Sequence, residues 1–227
     1  VIVMKSGAGT PTNATYQGVY NNLGIDGASA GHLLTKTGDI MQLSAHMAEY
    51  AQGKVGKVVP FSDLVLRDGQ HTAIQLAVAA QPTFVTVWAG NNDVLGAALV
   101  ALAMDGVTLT PVSVFTTQYQ TILGTLRSQL PNAKIVVATL PDCTAIPFVT
   151  TVKPYLVNPA TGAHIPLIGE SGLVTESDYL TLQASALLKQ GIGIPQAAGG
   201  TGLPLPEGSV DETGLHAGVI LRAAEVT

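Results

Sequence analysis

Two short runs of β-branched and aromatic residues constrain this chain most. They are Thr83-Phe84-Val85-Thr86-Val87-Trp88 and, within Lys134 to Leu140, Ile135-Val136-Val137-Ala138. Each is bounded by turn residues and has the length and branching of a strand buried on both faces. Between them Val94 to Met104 reads as a helix. A second helix starts at Thr110-Pro111, where a proline suits the first helical position. Phe115, Tyr119, Ile122, Leu123, Leu126 and Leu130 recur along it at intervals of three and four, giving one apolar stripe. Helices alternating with buried strands predict an α/β fold with Thr83–Trp88 and Lys134–Leu140 as neighbouring parallel strands. The expected architecture is a three-layer α/β/α sandwich around a mostly parallel, flavodoxin-like sheet.

The rest of the chain is read by the same rules. Val1 to Met4 and Val19 to Ile25 read as strands, the second broken by Asn21-Asn22, and Gly27 to Leu34 as a turn entering a helix. Asp39 is placed to cap a helix carrying Ile40, Leu43, Met47 and Tyr50. Lys54 to Asp68 mixes strand and loop signals, and His71 to Ala80 is helical up to Pro82. After Pro141 the texture changes. Pro141, Pro147, Pro154, Pro159 and Pro166 punctuate a hairpin-like stretch, Ser177 to Gln190 reads as a helix, and Val219 to Val226 as the start of another. The whole is expected to be one domain over 1–227, with a Pro/Gly-rich insertion around 141–210.

Composition excludes several function classes. Charged residues are 11% of the chain, the net charge is -5, and Lys plus Arg total 10, too few for a large nucleic-acid footprint. The longest apolar stretch, Val94 to Met104, is well short of the ~20 residues of a transmembrane helix. Cys143 is the one cysteine and reads as a small, buried or half-buried apolar residue. No two histidines have metal-ligand spacing with carboxylates, so no metal or other cofactor is expected. His32, His46 and His71 fall on helical segments, and His164 in a loop. A Gly-x-Gly-x-x-Gly cofactor loop after a strand is also missing.

In an open parallel sheet, ligands sit outside the carboxyl ends of the strands. Two loops at such ends carry candidate chemistry: Asn22-Leu23-Gly24-Ile25-Asp26-Gly27-Ala28 and Gly90-Asn91-Asn92-Asp93. Together they resemble the second and third blocks of the SGNH (GDSL-type) serine esterases and lipases. The second block reads roughly Asn-x-Gly-x-x-Gly before a helix with a Leu-Leu pair, here Leu33-Leu34. The third reads Gly-x-Asn-Asp after a strand that commonly carries an aromatic, here Trp88. The resemblance covers about 17–150 well. The Pro-rich stretch and Gly199-Gly200-Thr201-Gly202 look like extracytoplasmic bacterial members. It implies a serine-dependent ester hydrolase acting on a small ester or acylated substrate through an acyl-enzyme. By that resemblance Gly27 supplies a backbone N–H, and Asn92 a carboxamide, to the oxyanion. Asp93 is expected to cap a helix or accept backbone bonds, and Asp26 to lie in exposed loop.

The sequence departs from the family at both ends. The nucleophile block, Gly-Asp-Ser-Leu, has no counterpart. Ser6 follows the apolar run Val1 to Met4 but is flanked by Lys5 and Gly7, with a short spacing to Gly27. The last block, Asp-x-x-His, would end at His216, but Thr213 stands three residues before it. The expectation is therefore an internal piece of a longer hydrolase, with nucleophile and base outside this numbering. The alternative is a non-catalytic α/β ligand-binding or interaction domain that keeps the fold.

Overall fold

The computed structural model describes Tyr16 and residues 18–225, which divide into two compact units. The expected strand Val1 to Met4, and Ser6, lie outside the described residues. The first unit runs to Asn92 and resumes over Val112–Leu140; the second joins Asp93–Pro111 to the chain from Pro141 on.

The first unit contains α1 (Ala30–Thr35), α2 (Leu43–Ala51), α3 (Val58–Leu66), α4 (Ala73–Ala79), β1 (Phe84–Val87), the first residues of α5 (Asn91–Val100), α6 (Val112–Gln129) and β2 (Lys134–Val137). β1 and β2 pair in parallel, with Phe84 opposite Lys134 and Val87 opposite Val137, as the two apolar runs predict. Their ladder continues through Lys134 N–H to Thr83 O and Ala138 N–H to Val87 O, both at 2.9 Å. The stripe of α6 packs where its periodicity places it. Ile122, Leu126 and Leu130 are buried with Ala30, Ile74 and Val87, while Phe115, Tyr119, Leu123, Val85 and Ile135 pack around them. A second cluster gathers Ile25, Ala28, Val58, Val65, Leu66, Ala73 and Leu76.

Several expectations change. Burial of both strand faces is not what the structure shows: Phe84, Trp88 and Val136 are exposed, because the core cluster takes the alternate side chains Val85, Val87 and Ile135, and Val137 at the end of β2 is exposed as well. Val19 to Ile25 is not a strand. Gly24 N–H donates to the Asn22 carboxamide oxygen at 3.0 Å, a local turn that competes with extended pairing. Asp39 caps no helix. It pairs with Asp68 in an isolated bridge, and its carboxylate accepts Met41 N–H at 2.8 Å. Lys54 to Asp68 resolves into α3, which its β-branched Val58-Val59 and Pro60 disguised; a proline in the first helical turn leaves the intrahelical ladder intact. α4 begins at Ala73, two residues later than expected, and leaves His71 outside the helix; Thr72 and Gln75 form a reciprocal capping box at its start.

The second unit holds α7 (Pro147–Thr150), β3 (Tyr155–Val157), β4 (His164–Pro166), β5 (Ile168–Gly169), β6 (Gly172–Leu173), β7 (Tyr179–Leu180), α8 (Ala184–Lys189), β8 (Ser209–Asp211), β9 (Gly214–His216) and β10 (Ile220–Leu221). β3–β4, β5–β6 and β8–β9 are antiparallel pairs, in keeping with the hairpin-like reading. Two expected helices are corrected. Tyr179-Leu180 and Ile220-Leu221 pair antiparallel with each other, so the first helix shrinks to α8 and the second to a short 3-10 turn, Ala223–Glu225. Leu167, Val174, Leu180, Ala184, Leu205, Val219 and Ile220 form the core beneath them. His164 lies in β4 rather than a loop, with its ring 3.7 Å from that of Tyr155.

A partly buried charge cluster clips this unit together. The Arg222 guanidinium bonds Asp178 at 2.9 Å and also the Glu207 carboxylate. Burial alone would raise both acids. Donors outweigh it: Ala223 N–H, Thr175 N–H and Arg222 at Asp178, and Arg222 with Ser171 at Glu207. Both carboxyls therefore sit below their ordinary values. A carboxyl depressed on folding contributes stability above its unfolded pKa, near ~4, and loses that contribution as pH falls through the folded value. Urea midpoints should therefore fall as pH is lowered from about 5 toward about 3. Arg222→Met should flatten that decline, and an equally steep decline in the variant would contradict it.

Candidate active site

Within the first unit, the segment Tyr20–Ala28 and the turn after β1 come together. The first is closed by Ala28 N–H donating to Ile25 O at 3.2 Å, which makes Ile25–Ala28 a tight turn. Gly27 sits in it at φ +79, a conformation side chains rarely adopt. Ile25 and Ala28 are buried on either side, so the turn is seated by its flanks. Asp26 is exposed, as expected, and pairs with Lys57 Nζ at 3.0 Å. The stem of Lys57 passes 3.3 Å from where a Cβ on Gly27 would stand.

The second loop also depends on a glycine. Gly90 has φ +113, and a Cβ there would meet Leu140 at 2.8 Å and the Phe115 ring at 3.0 Å. The chain turns so tightly that Asn91, Asn92 and Asp93 are not loop but the first turn of α5. Asp93 is buried in that turn, where a carboxylate favours the helix dipole. Asn91 keeps its carboxamide oxygen buried, with no hydrogen-bond partner among the described residues. Asn92 is exposed, and its Nδ2 donates to Ala28 O at 3.0 Å. That bond runs from one candidate loop to the residue directly after Gly27.

A cavity of about 970 Å³ opens beside them. Asn22, Gly24, Asp26, Ala28, Gly90 and Asn92 are among its lining residues, with Trp88 and Tyr20. Gly27 lies between the lining residues Asp26 and Ala28. Next along the chain, His32 accepts Ser29 N–H at Nδ1, 3.0 Å, which closes the start of α1.

The remaining candidates lie elsewhere. His216 belongs to the second unit, in the exposed β8–β9 hairpin. Its Nε2 is 2.8 Å from Thr213 Oγ1 and 3.0 Å from Asp211 Oδ1. Bonds from Thr213, and then from His216, hold the Asp211 carboxyl well below the ordinary range. The acid beside His216 is thus five residues earlier rather than three. Cys143 is half-buried, its thiol pushed up by burial and by Asp142. Among the described residues no group of three or more His, Cys, Asp or Glu is placed to hold a metal ion. No helix among them is long and apolar enough to cross a membrane.

Sequence reasoning missed Arg67, which bonds Tyr20 at the start of the first loop, and Lys57, whose exposed pair with Asp26 adds little. The available signal was scarcity: with so few cations in the chain, each one beside a candidate loop carries information.

Compared with known proteins, residues 4–185 match the family model described as GDSL-like Lipase/Acylhydrolase. Searches among curated proteins and among solved structures found no match.

Gly27→Ala should destabilise the chain by about 1–2 kcal/mol, the cost of a Cβ in the left-handed region. Urea unfolding checks this, and an unchanged midpoint would show that the turn is not held as described.

Proposed function

Because the chain belongs to the GDSL-like lipase/acylhydrolase family, an esterase- or lipase-type class of hydrolases, we propose that it performs serine-dependent ester hydrolysis. In this reading a serine oxygen attacks the ester carbonyl carbon and passes its proton to a base. The carbonyl oxygen becomes an oxyanion, the alcohol leaves with a proton, and water then cleaves the acyl-enzyme. Gly27 and Asn92 serve the oxyanion. A backbone N–H and a neutral carboxamide, fixed before the charge develops, stabilise the transition state without reorganising.

One observation carries the assignment: the Asn92 Nδ2 bond to Ala28 O, which seats the carboxamide beside the Gly27 turn. A carboxamide nitrogen carries two N–H groups. One meets Ala28 O, and the other is assigned to the substrate. The cavity alongside supplies room for a small ester or acylated group. The reading assigns the donors and leaves the serine and its base unassigned. With it go a three-layer α/β/α architecture extending the parallel β1–β2 pair, a single hydrolase domain with the Pro/Gly-rich stretch as an insertion, and an extracytoplasmic, bacterial setting suited to the low charge.

Asn92→Ala should lower kcat by about 10²–10³ while changing KM little, because the bond strengthens only in the transition state. Asn91→Ala should do much less. Steady-state hydrolysis of p-nitrophenyl butyrate, with a serine-reactive phosphonate as inhibitor, measures both. Equal effects at the two asparagines would remove the oxyanion assignment. Absence of phosphonate-sensitive hydrolysis in this chain and in a longer form of the protein alike would favour a ligand-binding domain of the same fold.

A further inference from the structure

α3 is bracketed by two cations, and both reach the segment that carries Gly27. At its start Lys57 pairs with Asp26, but both side chains are about half-exposed, and such pairs contribute little. At its end Arg67 is buried, 9% exposed, and stands at φ +73, strained for a residue with a side chain. Nη1 donates to Tyr20 Oη at 3.2 Å and to Leu64 O at 3.3 Å, and Nη2 donates to Tyr16 O. The guanidinium carbon lies 5.4 Å from the centre of the Tyr20 ring, which stacks on Tyr16 at 5.2 Å and 12°. A guanidinium carries five donors in a rigid fork, so one side chain fixes several acceptors at once.

This placement is doubly unfavourable for Arg67 itself, since it is desolvated and its backbone is strained. Its effect is local. Ile25 and Ala28 seat the far end of the loop in the core, whereas Asn21, Asn22 and Gly24 are exposed. The bonds to Tyr16 and Tyr20 fix the chain just before that exposed stretch. We propose that Arg67 is a positioning residue: it fixes the entry of the Tyr20–Ala28 loop and so holds the Gly27 N–H in register with the Asn92 carboxamide. This rests on the oxyanion reading of those two groups. Arg67 touches no substrate; it acts through Tyr20 and the loop. Loss of such support far from the chemistry, moving a donor by about an ångström, costs on the order of a hundredfold in rate.

The test uses the full chain with Arg67→Gly, Arg67→Lys and Asn92→Ala. Glycine removes the guanidinium and relieves the strained φ, which limits loss of the fold. Lysine keeps the charge but loses the fork. Hydrogen exchange of peptides spanning 20–28 and 112–129 is read beside kcat and KM on p-nitrophenyl butyrate. Arg67→Gly should speed exchange in 20–28 by about tenfold or more, leave 112–129 unchanged, and lower kcat by about ten- to a hundredfold with KM little altered. Arg67→Lys should fall between. Unchanged exchange in 20–28 overturns the proposal whatever the activity. If Asn92→Ala lowers kcat and Arg67→Gly does not, this proposal alone fails. If Asn92→Ala leaves kcat unchanged, the oxyanion reading fails and takes this proposal with it.

Discussion

The hydrogen bond from Asn92 Nδ2 to Ala28 O is the interaction on which the account depends. It joins two segments more than sixty positions apart and sets a carboxamide beside a turn whose geometry only glycine accepts without strain. Each partner is positioned by something else. Ala28 is placed by the core that buries it with Val58 and Leu66. Asn92 is placed by Gly90, whose close approach to Leu140 and Phe115 forces the chain directly from β1 into α5. The site therefore inherits its precision from packed elements rather than from a long loop, which is what preorganised donors require.

Scarcity of charge shapes how the rest is held. Few cations are available, and two of the least exposed connect distant segments. Arg222 gathers Asp178, Glu207 and the turn at Ser171–Gly172 in one unit. Arg67 gathers Tyr16, Tyr20 and the end of α3 in the other. A guanidinium suits both places, because several fixed donors can satisfy carbonyls, carboxylates and a phenol together.

The parts legible in the sequence were those with a strong period or a glycine constraint. The strands β1 and β2, the α6 stripe and the glycine turns at Gly27 and Gly90 follow from residues whose neighbours in sequence decide their structure, although Asn91 to Asp93, read as loop, open α5. Elements decided by distant partners were misread. Tyr179-Leu180 and Ile220-Leu221 sit in apolar windows that scan as helix, but each finds its strand partner about forty residues away. α3 was hidden by valines that favour strands in isolation yet pack against Ile25 and Ala28 as a helix. His216 stood out as the last histidine of the chain, but its carboxylate partner, Asp211, comes from hairpin register and not from the spacing the family uses.

The most direct test of the central claim is whether the Gly27 N–H and the Asn92 carboxamide meet one ligand. In the ¹⁵N-labelled chain, butyrate, the carboxylate product of a butyryl ester, can be titrated while both resonances are followed. The account predicts that the Gly27 amide and the Asn92 side-chain amide shift together along one saturation curve, with the Asn91 side chain unaffected. Movement of one without the other, or two different curves, would contradict a shared oxyanion site.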